Sequence, residues 1–216
     1  MVRRTKQDAQ ATRSALLDAA ERVFELRGVS RTSLADIAQA AGVTRGALYW
    51  HFRDKADLFA AMMERVTLPL GGGLQAPERG SGDALADWCA HLRHALHRIA
   101  RDEQTRRVLR IAMQKVEHAA DLAPAIEQHI RMHRTNADVA RQVLQHAARA
   151  RGVRLPAPAT QLAHGLHAMV SGLIYSWLLD ESFDLEATAV ASIAAFLRGI
   201  GLDEPAVSAA PPRDRR

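Results

Sequence analysis

The sequence predicts an all-α fold of about nine helices, arranged as a small N-terminal headpiece followed by a larger helical body. Three observations carry that prediction. Apolar residues recur at three- and four-residue spacing along most of the chain. Valine, isoleucine and threonine never alternate with polar residues over a strand-length run, whereas alanine and leucine are abundant. Glycine- and proline-rich stretches such as GGGLQAPERGSG and LPAP separate the periodic segments. A chain of 216 residues with 48% apolar composition can bury a substantial core.

The elements follow in order. Residues 8–27 carry Leu16, Ala20, Val23 and Phe24 on one helical face, and Gly28 ends that helix. Ser33 with Asp36 has capping-box spacing, and Leu34, Ile37, Ala38 and Ala41 form the next apolar stripe. Gly42 stands where the chain must turn sharply, and glycine takes a left-handed conformation at little steric cost. Thr44 offers an N-cap oxygen to a helix over about 45–51. Asp54 and Asp57 open a fourth helix with Leu58, Phe59, Met62, Met63 and Val66 inside. From Pro69 the stretch GGGLQAPERGSG breaks the periodicity, which predicts a loop over about 69–82.

Five helices are expected in the body. The first carries Leu85, Trp88, Cys89, Leu92, Leu96 and Ile99; the second spans about 103–118. A long third runs from Pro124 towards Gly152, where proline suits the first turn. The fourth, about 160–180, is apolar on nearly every face, so burial on more than one side is expected, including against a second copy of the chain. The fifth has Ala189, Ile193 and Leu197 with Ala194, expected to complete a four-helix dimer interface. The expected organisation is therefore 1–68 as headpiece, 69–202 as body and 203–216 as a disordered tail.

Residues 32–55, TSLADIAQAAGVTRGALYWHFRDK, hold two short helices joined by a tight turn and followed by aromatic and basic side chains. This is a helix-turn-helix over about 33–52, a motif whose second helix lies in the DNA major groove. The run GVTRGALYWHFRDKADLF resembles the DNA-binding signature of the tetracycline-repressor (TetR) family of bacterial transcription regulators. The opening MVRRTKQDAQATRSALLDAAERVFELRGVSRTSLADIA is similar to its AcrR-like members, which repress multidrug efflux pumps. The close match covers about the first third; TRRVLRI, SGLIYSWLL and the total length agree more loosely.

The resemblance and the motif together nominate DNA-binding residues. The free amides of the second helix and the Thr44 hydroxyl suit phosphate. Arg45 stands at the leading end, where a guanidinium reads guanine, and Gly46 permits close backbone approach. Tyr49, His51 and Lys55 resemble family positions that grip phosphates, and Trp50 faces the groove. Thr32 and Ser33 are expected at phosphate on the other edge, with Arg3, Arg4 and Lys6 trailing along the backbone or in the minor groove. Similar regulators enclose an apolar effector cavity in the body. Matching by helix position nominates Trp88, Leu92, Leu109, Met113, His133, Asn136, His167, Val170, Ser171 and Ile174, a lining with few polar groups.

The implied function is a homodimeric, ligand-responsive repressor of an efflux operon. It is expected to bind a pseudo-palindromic duplex operator and to be released by apolar or aromatic effectors. A regulator answering to a metabolic or signalling ligand, or an activator, is the alternative. Net charge is +5 with a pI near 10.1, and +3 of it lies in residues 1–70, where eleven Lys/Arg meet eight Asp/Glu. That balance suits a polyanionic partner.

An enzyme is not expected, because no P-loop, dinucleotide fingerprint or nucleophile elbow occurs, and no cofactor is expected. Histidine pairs such as His129 and His133 lack the further ligands a zinc site needs, so no metal is expected. Cys89 is the single cysteine and sits on an apolar stripe, which reads as a small core residue in a reducing compartment. The polar, basic start has no secretory h-region, and the apolar run over 168–179 is short for a bilayer, so a cytoplasmic protein without membrane contact is expected.

Overall fold

The computed structural model describes residues 6–71, 83–116 and 123–203. Among them the chain forms nine α-helices and no strand. These are α1 Lys6–Arg27, α2 Leu34–Ala40, α3 Arg45–His51, α4 Lys55–Gly71, α5 Ala84–Arg101, α6 Glu103–Gln114, α7 Ala123–Ala150, α8 Ala159–Asp180 and α9 Leu185–Gly199. Arg3, Arg4, most of the expected loop and nearly all of the expected tail lie outside the described residues.

Two compact units emerge, the first comprising Met1–Gly72, His97–Thr135 and Leu178–Asp180 and the second Gly73–Leu96, Asn136–Trp177 and Glu181–Arg216. The core of the first is built by Leu16, Ala20 and Phe24 of α1, Ile37 of α2, Leu48 of α3, Phe52, and Leu58, Met62 and Val66 of α4. Val108 and Ile111 of α6 are fully buried in the same cluster. Side chains of this size contribute about 1.5–3 kcal/mol each on full burial, so α6 is held firmly to the headpiece helices.

Polar ties reinforce that attachment. Glu21 on α1 is 1% exposed. It accepts a hydrogen bond from Gln104 Nε2 of α6 at 2.9 Å and one from Arg65 of α4 at 3.3 Å. Arg65 also pairs with Asp18 at 2.6 Å. Burial raises the Glu21 carboxyl above its ordinary range, against the lowering by Gln104 and Arg65. Arg107 and Arg110 of α6 reach Glu25 of α1 at 3.2 and 3.8 Å. The amide of Val29 donates to Lys115 O at 3.3 Å, so the end of α6 also touches the α1–α2 turn.

In the second unit, Leu85, Trp88, Cys89 and Leu96 of α5 pack in a core with Ala140, Val143 and Leu144 of α7, Ala163 and Leu166 of α8, and the α9 stripe. Asp83 caps α5 through Leu85 and Ala86 amides at 3.1 and 3.2 Å and pairs with Arg151 at 2.8 Å.

Three expectations change. The chain does not leave helix at Pro69, because α4 continues through it to Gly71; a proline in the last turn removes only one amide donor from the ladder. The helix over 103–118 ends at Gln114, where the Lys115 N–H closes on Ile111 O. Ala189, Ile193 and Leu197 point into their own chain, at 0%, 4% and 0% exposure, so this stripe is core rather than contact surface for a partner. On α8 the inner residues Ala163, Leu166, Trp177 and Leu178 are buried, while Ala168, Gly172, Tyr175, Ser176 and Leu179 form an exposed, mostly apolar face. With 22 residues and an 18-residue window of mean hydropathy 1.2, α8 meets the length and composition of a membrane helix, which the 168–179 run alone does not. Its buried inner side is that of a core helix in a folded domain.

Candidate DNA-binding and effector sites

The helix-turn-helix is assembled by caps at each start. Ser33, extended at φ −96° and ψ 159°, accepts from Asp36 N at 3.2 Å, and Asp36 returns the bond by accepting from Ser33 N at 2.9 Å. The Ser33 hydroxyl, which donates to Asp36 Oδ2 at 2.5 Å, and then the Ser33 N–H hold the Asp36 carboxyl below its ordinary range. Gly42 takes φ 67° in the turn, the conformation that glycine alone adopts cheaply. Thr44 Oγ1 accepts from Ala47 N at 3.2 Å and starts α3. Each such cap stabilises its helix by roughly 1 kcal/mol.

Two buried anchors orient α3. Leu48 is 0% exposed and Phe52, just beyond the helix, is 2% exposed, with the Arg13 guanidinium 5.2 Å from its ring. Helical periodicity then turns Arg45, Gly46, Tyr49 and Trp50 to solvent. All four are exposed, Tyr49 at 51% and Trp50 at 72%. Large aromatic side chains left in water on a short basic helix mark a contact surface. The half-buried His51 ring lies edge-on to Trp50, with centroids 4.6 Å apart, and steadies the indole. A Cβ on Gly46 would meet only Thr44 Oγ1 at 4.0 Å, so the free protein has room there.

The other edge is organised differently from what the spacing suggests. Ser33 and Thr44 are exposed, but Thr32 is 2% exposed and its hydroxyl donates to Gly28 O at 2.8 Å. Lys55 is half-buried, and its Nζ donates to the carbonyls of Val29, Ser30 and Thr32 at 3.1, 3.4 and 3.3 Å. Both residues brace the α1–α2 turn. An open recess lined by residues 30–34 and Lys55 lies beside it.

The ten effector candidates fall in both units. Leu109, Met113 and His133 belong to the first, and Trp88, Leu92, Asn136, His167, Val170, Ser171 and Ile174 to the second. Trp88 is 8% exposed and the other nine are half-buried. His133 Nε2 lies 2.8 Å from His129 Nε2, so one ring donates and the other accepts. Burial lowers the His133 pKa, which favours the neutral ring. Among the described residues no group of three or more His, Cys, Asp or Glu converges as a metal site would require.

The contacts of α6 with α1 and α4 went unread in the sequence. Glu21 and Arg65 are separated by 44 positions, Glu21 and Gln104 by 83, and no local spacing rule joins such partners.

Comparison with known proteins agrees with this geometry. Residues 16–62 match the model for bacterial regulatory proteins of the tetR family, and residues 83–201 match the C-terminal region of MAATS-type transcriptional repressors. The HTH-type transcriptional regulator AcrR of Shigella flexneri is 36% identical over 199 residues, spanning 91% of this chain and 93% of that protein. NalD, the secondary repressor of the MexAB-OprM multidrug efflux pump in Pseudomonas aeruginosa, superposes with a TM-score of 0.78 at 35% identity, covering 90% of this chain and 98% of NalD. SmeT, the repressor of the Stenotrophomonas maltophilia efflux pump SmeDEF, matches in its triclosan complex with a TM-score of 0.75 at 33% identity, covering 88% of this chain and 91% of SmeT. The exposed, Thr44-capped recognition helix and these matches across both regions lead to one conclusion: the chain belongs to the TetR family of bacterial transcriptional regulators.

Proposed function

We propose that this regulator is a homodimeric, cytoplasmic repressor of a multidrug efflux operon, released from its operator by apolar or aromatic small molecules. The observation that carries the reading is the α3 surface, where Arg45, Tyr49 and Trp50 stand exposed on a helix fixed from behind by Leu48 and Phe52. The Thr44 hydroxyl and the amides beside it receive phosphate, Tyr49 and His51 grip phosphates, Arg45 reads base edges, and Trp50 faces the groove. Thr32 and Lys55 act by shaping the turn that presents Ser33. The exposed face of α8, from Ala168 to Leu179, meets its counterpart in a second copy, and two headpieces then read a pseudo-palindromic operator.

Release is a shift in population. An effector held by the second unit's candidates, Trp88, Leu92, His167 and Val170 among them, favours a conformation whose headpieces no longer match successive major grooves. The Glu21, Arg65 and Gln104 contacts supply the mechanical link, since they tie α6 to α1 and α4. Relatives that repress efflux pumps, and SmeT bound to triclosan, support the choice of operon and effector class. The test is DNase footprinting of the intergenic DNA beside the gene, with and without triclosan. A protected inverted repeat that triclosan exposes is expected; no protection anywhere in that DNA would overturn the reading.

A further inference from the structure

A polar stripe on α6 holds α1 at one end and the last turn of α8 at the other. Arg107, Arg110 and Gln114 recur at three- and four-residue spacing, which sets them on one side of the helix. Arg107 Nε pairs with Glu25 Oε2 of α1 at 3.2 Å, and Arg110 Nη1 reaches Glu25 Oε1 at 3.8 Å. Arg110 Nε and Gln114 Nε2 both donate to the carbonyl of Leu178, each at 3.3 Å. That carbonyl is among the last four of α8, which lack donors within the helix, and the guanidinium meets the negative end of the helix dipole there. The Leu178 side chain is buried, so packing fixes the same turn from its other side. Glu25, Arg107, Arg110, Gln114 and Leu178 all lie within the first unit. The helix α8 is unbroken from Ala159 to Asp180, so the turn held by α6 continues directly into the exposed apolar face of the same helix. The Arg110 guanidinium touches both partners through diverging N–H groups, which a lysine ammonium does not offer.

We propose that Arg110 is a positioning residue that sets the operator spacing this regulator accepts. In the dimer proposed above, on which this rests, α8 lies at the two-fold axis and Arg110 fastens its end to the first helix of each headpiece. Adding one base pair between half-sites moves one of them by about 3.4 Å and turns it by about 35°. A headpiece fastened to the axis helix cannot follow that turn, whereas a headpiece released from it can.

The test begins with selection of duplexes from a random library by full-length wild type. Fluorescence anisotropy then compares the selected inverted repeat with versions one base pair longer or shorter between half-sites. Wild type is expected to lose about tenfold in affinity for either change, the scale of a mismatched base pair. Arg110→Met keeps the stem and removes every donor; it is expected to lose less than about threefold while preferring the same half-site sequence. Arg110→Lys takes its place if the methionine variant loses its cooperative melt. Destabilisation alone would weaken all three duplexes by the same factor and leave the discrimination intact. Discrimination kept by a folded variant, or absent from wild type, would overturn the proposal and leave the repressor reading standing. Selection of no inverted repeat would overturn the dimeric operator reading, and the proposal with it.

Discussion

Exposure separates the side chains proposed to meet DNA from those that build the surface presenting them. Arg45, Tyr49 and Trp50 are exposed, whereas Thr32 and Lys55 are spent on carbonyls of the α1–α2 turn. Arg45→Ala is expected to relax base preference at one operator position by about 1–3 kcal/mol, the value of a bidentate base contact. Tyr49→Ala is expected to weaken binding to every sequence equally, because phosphate contacts position without specifying. Competition binding against single-base operator variants distinguishes the two. Lys55→Ala is expected to cost about 1–3 kcal/mol of folding stability as well as operator affinity, because its charged donor leaves three carbonyls behind. Urea denaturation measures that cost. An unchanged midpoint with weakened DNA binding would return Lys55 to a purely phosphate-binding role.

Helix starts are the most legible elements, and they also set the response to acid. Capping by Ser33 and Thr44, the left-handed turn at Gly42 and the anchoring of Phe52 all follow from local rules and stand in the structure as read. Partners distant in the chain follow no such rule. The periodicity of α9 places Ile193 on an apolar stripe but cannot say whether its own chain or a partner covers it; its own chain does. The start of α6 depends on Asp102, whose carboxylate accepts from the Thr105 hydroxyl and from Thr105 N at 3.2 Å. The Thr105 hydroxyl bond leads in holding that carboxyl below its ordinary value, ahead of the opposing desolvation. A depressed carboxyl stabilises the fold above its unfolded pKa, and the contribution is lost as pH falls through the folded value. Asp102→Ala is therefore expected to cost about 1 kcal/mol at neutral pH and almost nothing once the carboxyl is protonated in both the folded and unfolded chain, as followed by thermal melts across pH. On α8, Gly172 is exposed and a Cβ there meets nothing within 4 Å. Gly172→Arg should leave the protomer folded and give monomers by sedimentation, with much weaker operator binding. An intact dimer would move the interface elsewhere.

At the scale of the whole molecule, the proposed release mechanism makes α6 the element between sensing and DNA binding. It supplies Val108 and Ile111 to the core beneath the helix-turn-helix and carries the effector candidates Leu109 and Met113 between them and beyond. The family signature made the headpiece legible, and total length and helix count made the body legible in outline. The share of α6 in the headpiece core was not legible, because burial of Val108 and Ile111 depends on neighbours far along the chain. The most direct test of ligand-responsive repression is fluorescence anisotropy of a preformed operator complex titrated with triclosan, for wild type and Val170→Trp. Wild type is expected to release DNA, whereas the bulky variant binds DNA with wild-type affinity and needs far more ligand to let go. Equal release of both proteins would contradict the placement of the effector, and no release of wild type by any apolar or aromatic compound would contradict ligand-responsive repression itself.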